Sequence, residues 1–295
     1  MNLNFAYNRR VPKTYEALVW AEIQRIESLG WKDLPMDAAG VRHLQSVDES
    51  TISFPAAAYD AEQGNRESAG VWAMHRAARI AEFLESRNCT VMWEIGAGDG
   101  NVAFPLRDRG LAVIAIEPLR QGAETMARAG IHSYRQTFEQ LNLPDESLEA
   151  IGIFDVLEHL AEPQVVLAEI YRVLKPGGVL ITTVPANQWL FSDFDTSIGH
   201  FLRYSRTGLR DSLDQAGFKN HTIEFLFFVF VLPAFILRRI PYLMGRRRDF
   251  NKVFKSTKSH TWVLKVLEPI FVAVLKLESK MKLPTGLTLV SVSTK

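Results

Sequence analysis

The first residues whose types and spacing could do chemistry are Glu94-Ile95-Gly96-Ala97-Gly98-Asp99-Gly100. Glycines permit positive φ and let a backbone approach a ligand closely. A short apolar run, Thr90–Ile95, precedes the loop, and a helical pattern from Val102 to Arg109 follows it. The loop therefore falls at a strand-to-helix turn, on the edge where α/β sheets bind ligands. The next apolar run, Leu111–Ile116, ends at Glu117-Pro118. A carboxylate there can accept hydrogen bonds from both hydroxyls of a ribose. The glycine triplet alone is equally a tight turn. Glu117 is what turns the pattern toward a nucleoside ligand. A dinucleotide fingerprint needs a third glycine at position 101, and this chain has Asn101 there. The spacing is Gly-x-Gly-x-Gly, with no need to cradle a pyrophosphate.

A second group of chemically able residues follows the apolar run Ala150–Phe154: Asp155, Glu158 and His159. His200 comes later, in Ile198-Gly199-His200-Phe201-Leu202-Arg203-Tyr204. If Asp155 and Glu158 open a helix they share a face, with His159 about a turn from Asp155. These groups can position an acceptor or take its proton. They can equally cap a helix or bond to backbone. Two carboxylates and two imidazoles also suit a hard divalent metal. That is the lesser alternative to a metal-free histidine base, and no residue is assigned as a metal ligand outright. Trp189, Phe191, Phe194 and Tyr204 read as an acceptor-site wall or as core.

The elements that must position these residues alternate. Helical patterns cover Thr14–Leu29, stopped by Gly30, and Glu67–Leu84. After the glycine loop come helices at Gly122–Ala129, Pro163–Leu174 and Thr207–Ala216. They are interleaved with the strands above, a turn at Lys175-Pro176-Gly177-Gly178, and strands Val179–Val184 and Leu287–Val292. Such alternation implies a parallel sheet with helices on both faces. Lys+Arg 34 against Asp+Glu 33 gives a net charge of +1, so no nucleic-acid partner is expected. Cys89 is the only cysteine, which excludes an internal disulfide. Residues Met1–Arg10 hold no apolar run, so a cytoplasmic setting is expected. The chain divides into an extension over 1–65, a nucleoside-binding core over 66–222 and a hydrophobic cap plus final strand over 223–295.

From Val91 to Phe218 the chain resembles the class I S-adenosylmethionine-dependent methyltransferases that carry a Leu-Glu-His segment. The matching pieces are Glu94–Gly100, Glu117, Leu143-Pro144-Asp145, Phe154-Asp155-Val156-Leu157-Glu158-His159, Arg172–Gly178 and Ala216-Gly217-Phe218. The resemblance implies a Rossmann-like, mostly parallel seven-stranded sheet whose final strand is antiparallel. It also implies that Glu94, Gly96, Ala97, Gly98 and Gly100 hold the methionine end of the cofactor. Glu117 and Pro118 would lie at the ribose, and the Phe154 backbone near the cofactor's amino group. Many relatives carry Asp-Ala where this chain has Thr137-Phe138; Thr137 would bond the adenine and Phe138 would cover its face. His159 or His200 would be the general base, with Asp155 and Glu158 beside them. The implied reaction is methyl transfer from S-adenosylmethionine; the apolar stretch Phe225–Leu237 points to a hydroxyl of a small hydrophobic or lipid-linked molecule as the acceptor. The alternatives are a catalytically inactive scaffold of the same fold and a nicotinamide-dependent dehydrogenase, against which Asn101 speaks.

The tail changes character. Phe225–Leu237 is almost wholly apolar but too short for a bilayer span of ~20 residues. Arg238, Arg239 and Arg246–Arg248 follow it, and Trp262–Lys282 is again helical, broken by Pro269. The apolar stretch is either a buried cap helix or a peripheral element at the inner face of a membrane, with the arginines at the phosphates.

Overall fold

A computed structural model describes residues 13–43, 47–52, 54, 66–246, 271–275, 277–278 and 281–295. Helices α1 (Lys13–Glu27) and α2 (Arg66–Glu85) precede strand β1 (Val91–Ile95). Then come α3 (Ala103–Arg107), β2 (Ala112–Ile116), α4 (Arg120–Arg128), β3 (His132–Tyr134), β4 (Leu148–Phe154), α5 (Pro163–Val173) and β5 (Leu174–Pro185). Short α6 (Asp193–Ser197), α7 (Arg206–Gln215), β6 (Lys219–Leu226) and β7 (Thr288–Thr294) complete the described core.

The seven strands form one sheet in the order β3-β2-β1-β4-β5-β7-β6. The first five are parallel, and β7 is antiparallel to both β5 and β6. Every residue of β2 (Ala112-Val113-Ile114-Ala115-Ile116) is buried, as a parallel strand covered on both faces must be. Ile95 pairs with Ile116 on one side and Ile153 on the other. The glycine loop, Glu117 and Asp155 therefore leave the sheet at one level, on one edge. Between β1 and β4 the strand order reverses, and such a switch point opens a crevice.

Two helices ahead of β1 are built into this core. Val19, Ile23 and Ile26 of α1 are buried at helical spacing, and Tyr15 donates to the Val113 carbonyl at 2.5 Å. Trp31 donates to the Leu141 carbonyl at 2.8 Å. On α2, Ala73, Ala77, Ile80, Ala81 and Leu84 form the buried stripe, and the small residues let the helix sit close enough to bring Arg76 to the β1–β4 edge.

Three expectations need correction. Lys175–Gly178 is an excursion inside β5: Leu148 pairs with Leu174 and Ala150 with Val179. Phe225–Leu237 is not one helix. Phe225 and Leu226 finish β6, Phe227 takes a left-handed φ of +65°, and helical turns begin only afterwards. Nor are those turns a buried cap: Leu232 and Leu237 are about two-thirds and three-fifths exposed (64% and 58%). Strands His132–Tyr134 and Lys219–Leu226 are additions to the sequence reading. Of Trp262–Lys282, residues 271–275 and 277–278 are helical; residues 262–270 lie outside the described residues.

Candidate active site

The glycine loop is held by the acid at the end of the neighbouring strand. Gly96, Gly98 and Gly100 have φ of +68°, +60° and +88°. Gly96 and Ala97 donate to the Ile116 carbonyl at 2.8 and 3.2 Å. Gly98 N–H donates to Glu117 Oε2 and Leu119 N–H to Oε1, both at 2.8 Å. A carboxylate oxygen has two lone-pair directions, so an acid at this position is of a kind that can accept from a ribose hydroxyl as well as from backbone. A Cβ on Gly100 would lie 2.5 Å from the Phe104 ring, and one on Gly122 would lie 2.6 Å from the Gly98 carbonyl. A Cβ on Gly96 would strike Val156. These contacts leave no room for a side chain at Gly96, Gly100 or Gly122.

Glu94 is buried beneath the loop, and its Oε2 has no hydrogen-bond partner among the described residues. Burial pushes its carboxyl up to about 8; Arg76 opposes the shift, and Glu117 and Asp99 add to it. Pro118 and Thr137 are half-buried; Thr137 N–H donates to Gln140 Oε1 at 3.1 Å. Phe138 is buried in the core, and Phe154 is buried at the end of β4.

The second group separates into two parts. Asp155 has a left-handed φ of +54°. Its carboxylate accepts from Arg76 and from Thr183 Oγ1, the latter at 3.1 Å. Glu158 and His159 lie in a single 3-10 turn, Leu157–His159, and α5 starts only at Pro163. Asp155 and Glu158 therefore do not share a helical face. Glu158 has no solvent exposure, and neither of its carboxylate oxygens has a hydrogen-bond partner among the described residues. Its nearest basic group is His200 Nε2, 3.6 Å from Oε1. Burial holds the Glu158 carboxyl well above the usual range, reinforced by Asp155.

His159 and His200 meet edge to face, with ring centroids 4.6 Å apart. Burial, then the charge of His200, holds the His159 imidazole down to about 4, so it is neutral at physiological pH. His200 is oriented from behind: its Nδ1 lies 3.2 Å from Asp195 Oδ1. Asp195 also accepts from Arg203 Nε at 2.7 Å and from Ser192 N–H at 2.9 Å, completing a capping box on α6. Burial alone would raise Asp195, but the bonds from His200, Arg203 and Ser192 hold it below its ordinary value. Glu158, His159 and His200 each bring one ligand atom within 4.8 Å of one another. Of the aromatic candidates, Tyr204 is buried beside this cluster and Trp189 is about half exposed (48%).

Arg76 was missed by sequence reading. It is buried, bonded to Asp155, and its Nε has no hydrogen-bond partner among the described residues. It is a counter-charge to Glu94 and Glu158 together. In sequence it looks like any arginine of an Ala- and Arg-rich helix. Asp195 was legible in principle, since Ser192-x-x-Asp195 is a capping-box signature.

Residues 93–182, from β1 into β5, match the family described as "Methyltransferase domain". Over that stretch the chain is similar to methyltransferases. It is 30% identical over 130 residues to a "Probable S-adenosylmethionine-dependent methyltransferase" of Mycolicibacterium smegmatis, covering 43% of this chain and 51% of that one. It is 28% identical over 120 residues to the "Ubiquinone biosynthesis O-methyltransferase" of a Bradyrhizobium species, covering 38% and 46%. The chain thus spans about half the length of the curated relatives it matches. A SAM-dependent methyltransferase structure from Archaeoglobus fulgidus aligns at TM-score 0.47 and 16% identity, over 74% of this chain and 94% of that one.

The Glu94 environment yields a pH prediction. Its carboxyl is raised from an ordinary 4.5 to about 8, so the folded state favours the protonated form. The stability this contributes is complete below the unfolded value and is lost as pH rises through the folded one. Glu94→Gln has no proton to lose. The melting temperature of Glu94→Gln relative to wild type should rise between about pH 5 and about pH 8.5. Two melting curves that stay parallel across this range would contradict the buried, proton-retaining Glu94.

Proposed function

We propose that this protein transfers a methyl group from S-adenosylmethionine to a hydroxyl of a hydrophobic or lipid-linked acceptor. The observation that carries the reading is the meeting, at one sheet edge, of the Glu117-held glycine loop and the His159–His200 pair. The loop fits the cofactor: its glycines, all at positive φ, let the backbone approach a ligand closely, and the buried, unpartnered Glu94 oxygen offers an acceptor for an ammonium group. Bound there, S-adenosylmethionine supplies an electrophilic methyl group on a sulfonium sulfur. Glu117 receives the ribose hydroxyls while its bonds to Gly98 and Leu119 keep it rigid. His159, neutral and half-buried, takes the proton of the acceptor hydroxyl. His200, fixed by Asp195, sets the orientation of the His159 ring. The name of the Bradyrhizobium relative, an O-methyltransferase of ubiquinone biosynthesis, supports oxygen as the methylated atom. No observation favours the inactive-scaffold alternative.

A second reading is favoured by the Glu158, His159 and His200 cluster, whose donor atoms could hold a divalent cation beside the acceptor. A metal there would lower the hydroxyl's pKa and orient it. The two versions separate in one assay, with radiolabelled methyl donor and hydrophobic acceptor extracts. The metal-free version expects full activity in chelator and a fall of about 10²–10⁴ for His159→Ala, the scale of general base catalysis. Loss in chelator with recovery on manganese or magnesium selects the metal version. Full activity in His159→Ala and His200→Ala leaves only proximity and orientation.

The acceptor's apolar nature is read from the tail. Leu232, Ile236, Ile240 and Leu243 recur along the helical run after Val231 and are all exposed, with Leu237 and Met244 beside them. This stripe adjoins the loop that bears His200: Arg239 donates to the Phe191 carbonyl at 2.5 Å, and Arg238 lies 4.1 Å over the Phe194 ring. An apolar stripe flanked by arginines suits the surface of an anionic bilayer. Among the described residues no helix is long and apolar enough to cross a membrane. The protein should co-sediment with anionic vesicles at low salt, less so at high salt as the head-group attraction is screened, and Leu232→Ser/Leu243→Ser should abolish the effect. Wild type that stays in the supernatant at low salt contradicts membrane contact.

A further inference from the structure

The loop that carries His200 is held by two different parts of the molecule. Its root is on the sheet: the Asn187 N–H donates to the Tyr204 carbonyl and the Tyr204 N–H to the Pro185 carbonyl, both at 2.8 Å. Its interior is braced on Asp195, whose carboxylate takes Ser192, His200 and Arg203, and whose carbonyl accepts from the His200 N–H at 2.9 Å. The Phe201 N–H donates to the Glu158 carbonyl at 2.8 Å, which joins the braced loop to the turn bearing His159.

The outer end is held by the tail. Arg239 donates to the Phe191 carbonyl, the Arg238 guanidinium covers the Phe194 ring, and the Trp189 and Phe235 rings meet at 61° with centroids 5.8 Å apart. Both arginines belong to one π-helical turn, Phe235–Arg239, in which the Ile240 N–H reaches back to the Phe235 carbonyl. Pro241 follows and has no N–H with which to resume α-helical bonding. Turns of this kind are rare and often mark functional sites. Arg238 and Arg239 are half-buried, while Ile236, Leu237 and Ile240 around them are exposed. The two cations therefore lie on the seam between the exposed apolar stripe and the His200 loop.

The groups they hold in the loop, a carbonyl oxygen and an aromatic face, carry no net charge. A phosphate adds a full negative charge and accepts both prongs of a guanidinium at once. An apolar stripe settled into an anionic bilayer brings the arginines beside it to the depth of the phosphates. We infer that Arg238 and Arg239 latch the His200 loop, and that an anionic lipid surface opens the latch by taking the two guanidinium groups onto its phosphates. The outer end of the loop is then freed while its root stays on the sheet, and the entrance beside His159 and His200 opens on the side from which an apolar acceptor comes. The inference rests on the membrane contact proposed above and adds the regulation of that same site.

Hydrogen exchange of the full chain, read by mass spectrometry, tests the latch without an acceptor. Phosphatidylglycerol vesicles at low salt should raise amide exchange over residues 192–203 about tenfold, the scale of one lost hydrogen bond, with exchange in β1 and β2 unchanged. Phosphatidylcholine vesicles and inorganic phosphate should leave it as it is. Arg238→Ala/Arg239→Ala should show the raised exchange without vesicles, with melting temperature nearly unchanged, and vesicles should raise it no further. Arg238→Lys/Arg239→Lys, which keeps the charge but not the fork, should fall between wild type and the alanine variant. Co-sedimentation of the same samples reports binding. Wild type that binds the vesicles with unchanged or slower exchange over 192–203 overturns the latch and leaves the membrane contact standing. A rise produced by inorganic phosphate alone overturns the bilayer as the trigger. Wild type that stays in the supernatant overturns the latch and the membrane contact together.

Discussion

Glu94, Asp99, Glu117, Asp155 and Glu158 gather at the carboxyl edge of the sheet, and four of the five are buried. Charge so concentrated in a low-dielectric place must be neutralised, bonded or protonated. The protein uses all three means. Glu117 is bonded to two backbone amides, Asp155 is paired with Arg76, and Glu94 and Glu158 hold their protons above the usual range. A crevice of this kind is costly for the protein alone and complementary to a ligand carrying cationic groups, such as a sulfonium and an ammonium. Its electrostatics thus favour the same ligand as its glycine geometry.

The rest of the fold follows from that edge. The aligned register of β1, β2 and β4 brings the acids to one level. Helix α2 exists in the form it does because Arg76 must reach Asp155 from the side: an alanine-rich stripe at 73, 77 and 81 lets it lie close. The left-handed backbone at Asp155, uncommon for a residue with a side chain, is tied down by Arg76, Thr183 Oγ1 and a backbone bond to the Thr183 carbonyl at 2.9 Å. The loop after β5 brings back His200 with its carboxylate partner Asp195, which is itself paired with Arg203. At the far end, buried Glu278 accepts from the amides of Phe227 and Phe228, and Trp72 of α2 stacks on the Phe227 ring at 3.4 Å. That stack ties the apolar tail to the helix that carries Arg76.

The alternation of apolar runs and helical patterns made the parallel core legible, because buried parallel strands read as continuous β-branched stretches. The glycine loop and Glu117 were legible because their chemistry is written in consecutive residues. The pairing of His159 with His200 was anticipated as a neighbourhood, but the split between Asp155 and Glu158 was not. Nothing in Phe154–His159 announces a left-handed residue at 155, which sends the two carboxylates to different partners. Arg76 was invisible because it acts across a long sequence distance, and a buried arginine has no local signature. The tail left two readings open through composition, a buried cap or an exposed element, and its helical part is exposed.

The central claim is that the Glu117-held glycine loop forms a nucleoside site for S-adenosylmethionine. Calorimetric titration with S-adenosylhomocysteine, on wild type and on Gly98→Val, tests it most directly. Gly98 sits at φ +60° with its amide on Glu117, a conformation that a β-branched residue rarely adopts. The account predicts saturable binding to wild type and a loss of about a hundredfold or more, some 2.7 kcal/mol, for a Gly98→Val variant whose circular dichroism still shows a folded protein. Equal affinity in the two proteins, or no binding to wild type, would contradict it.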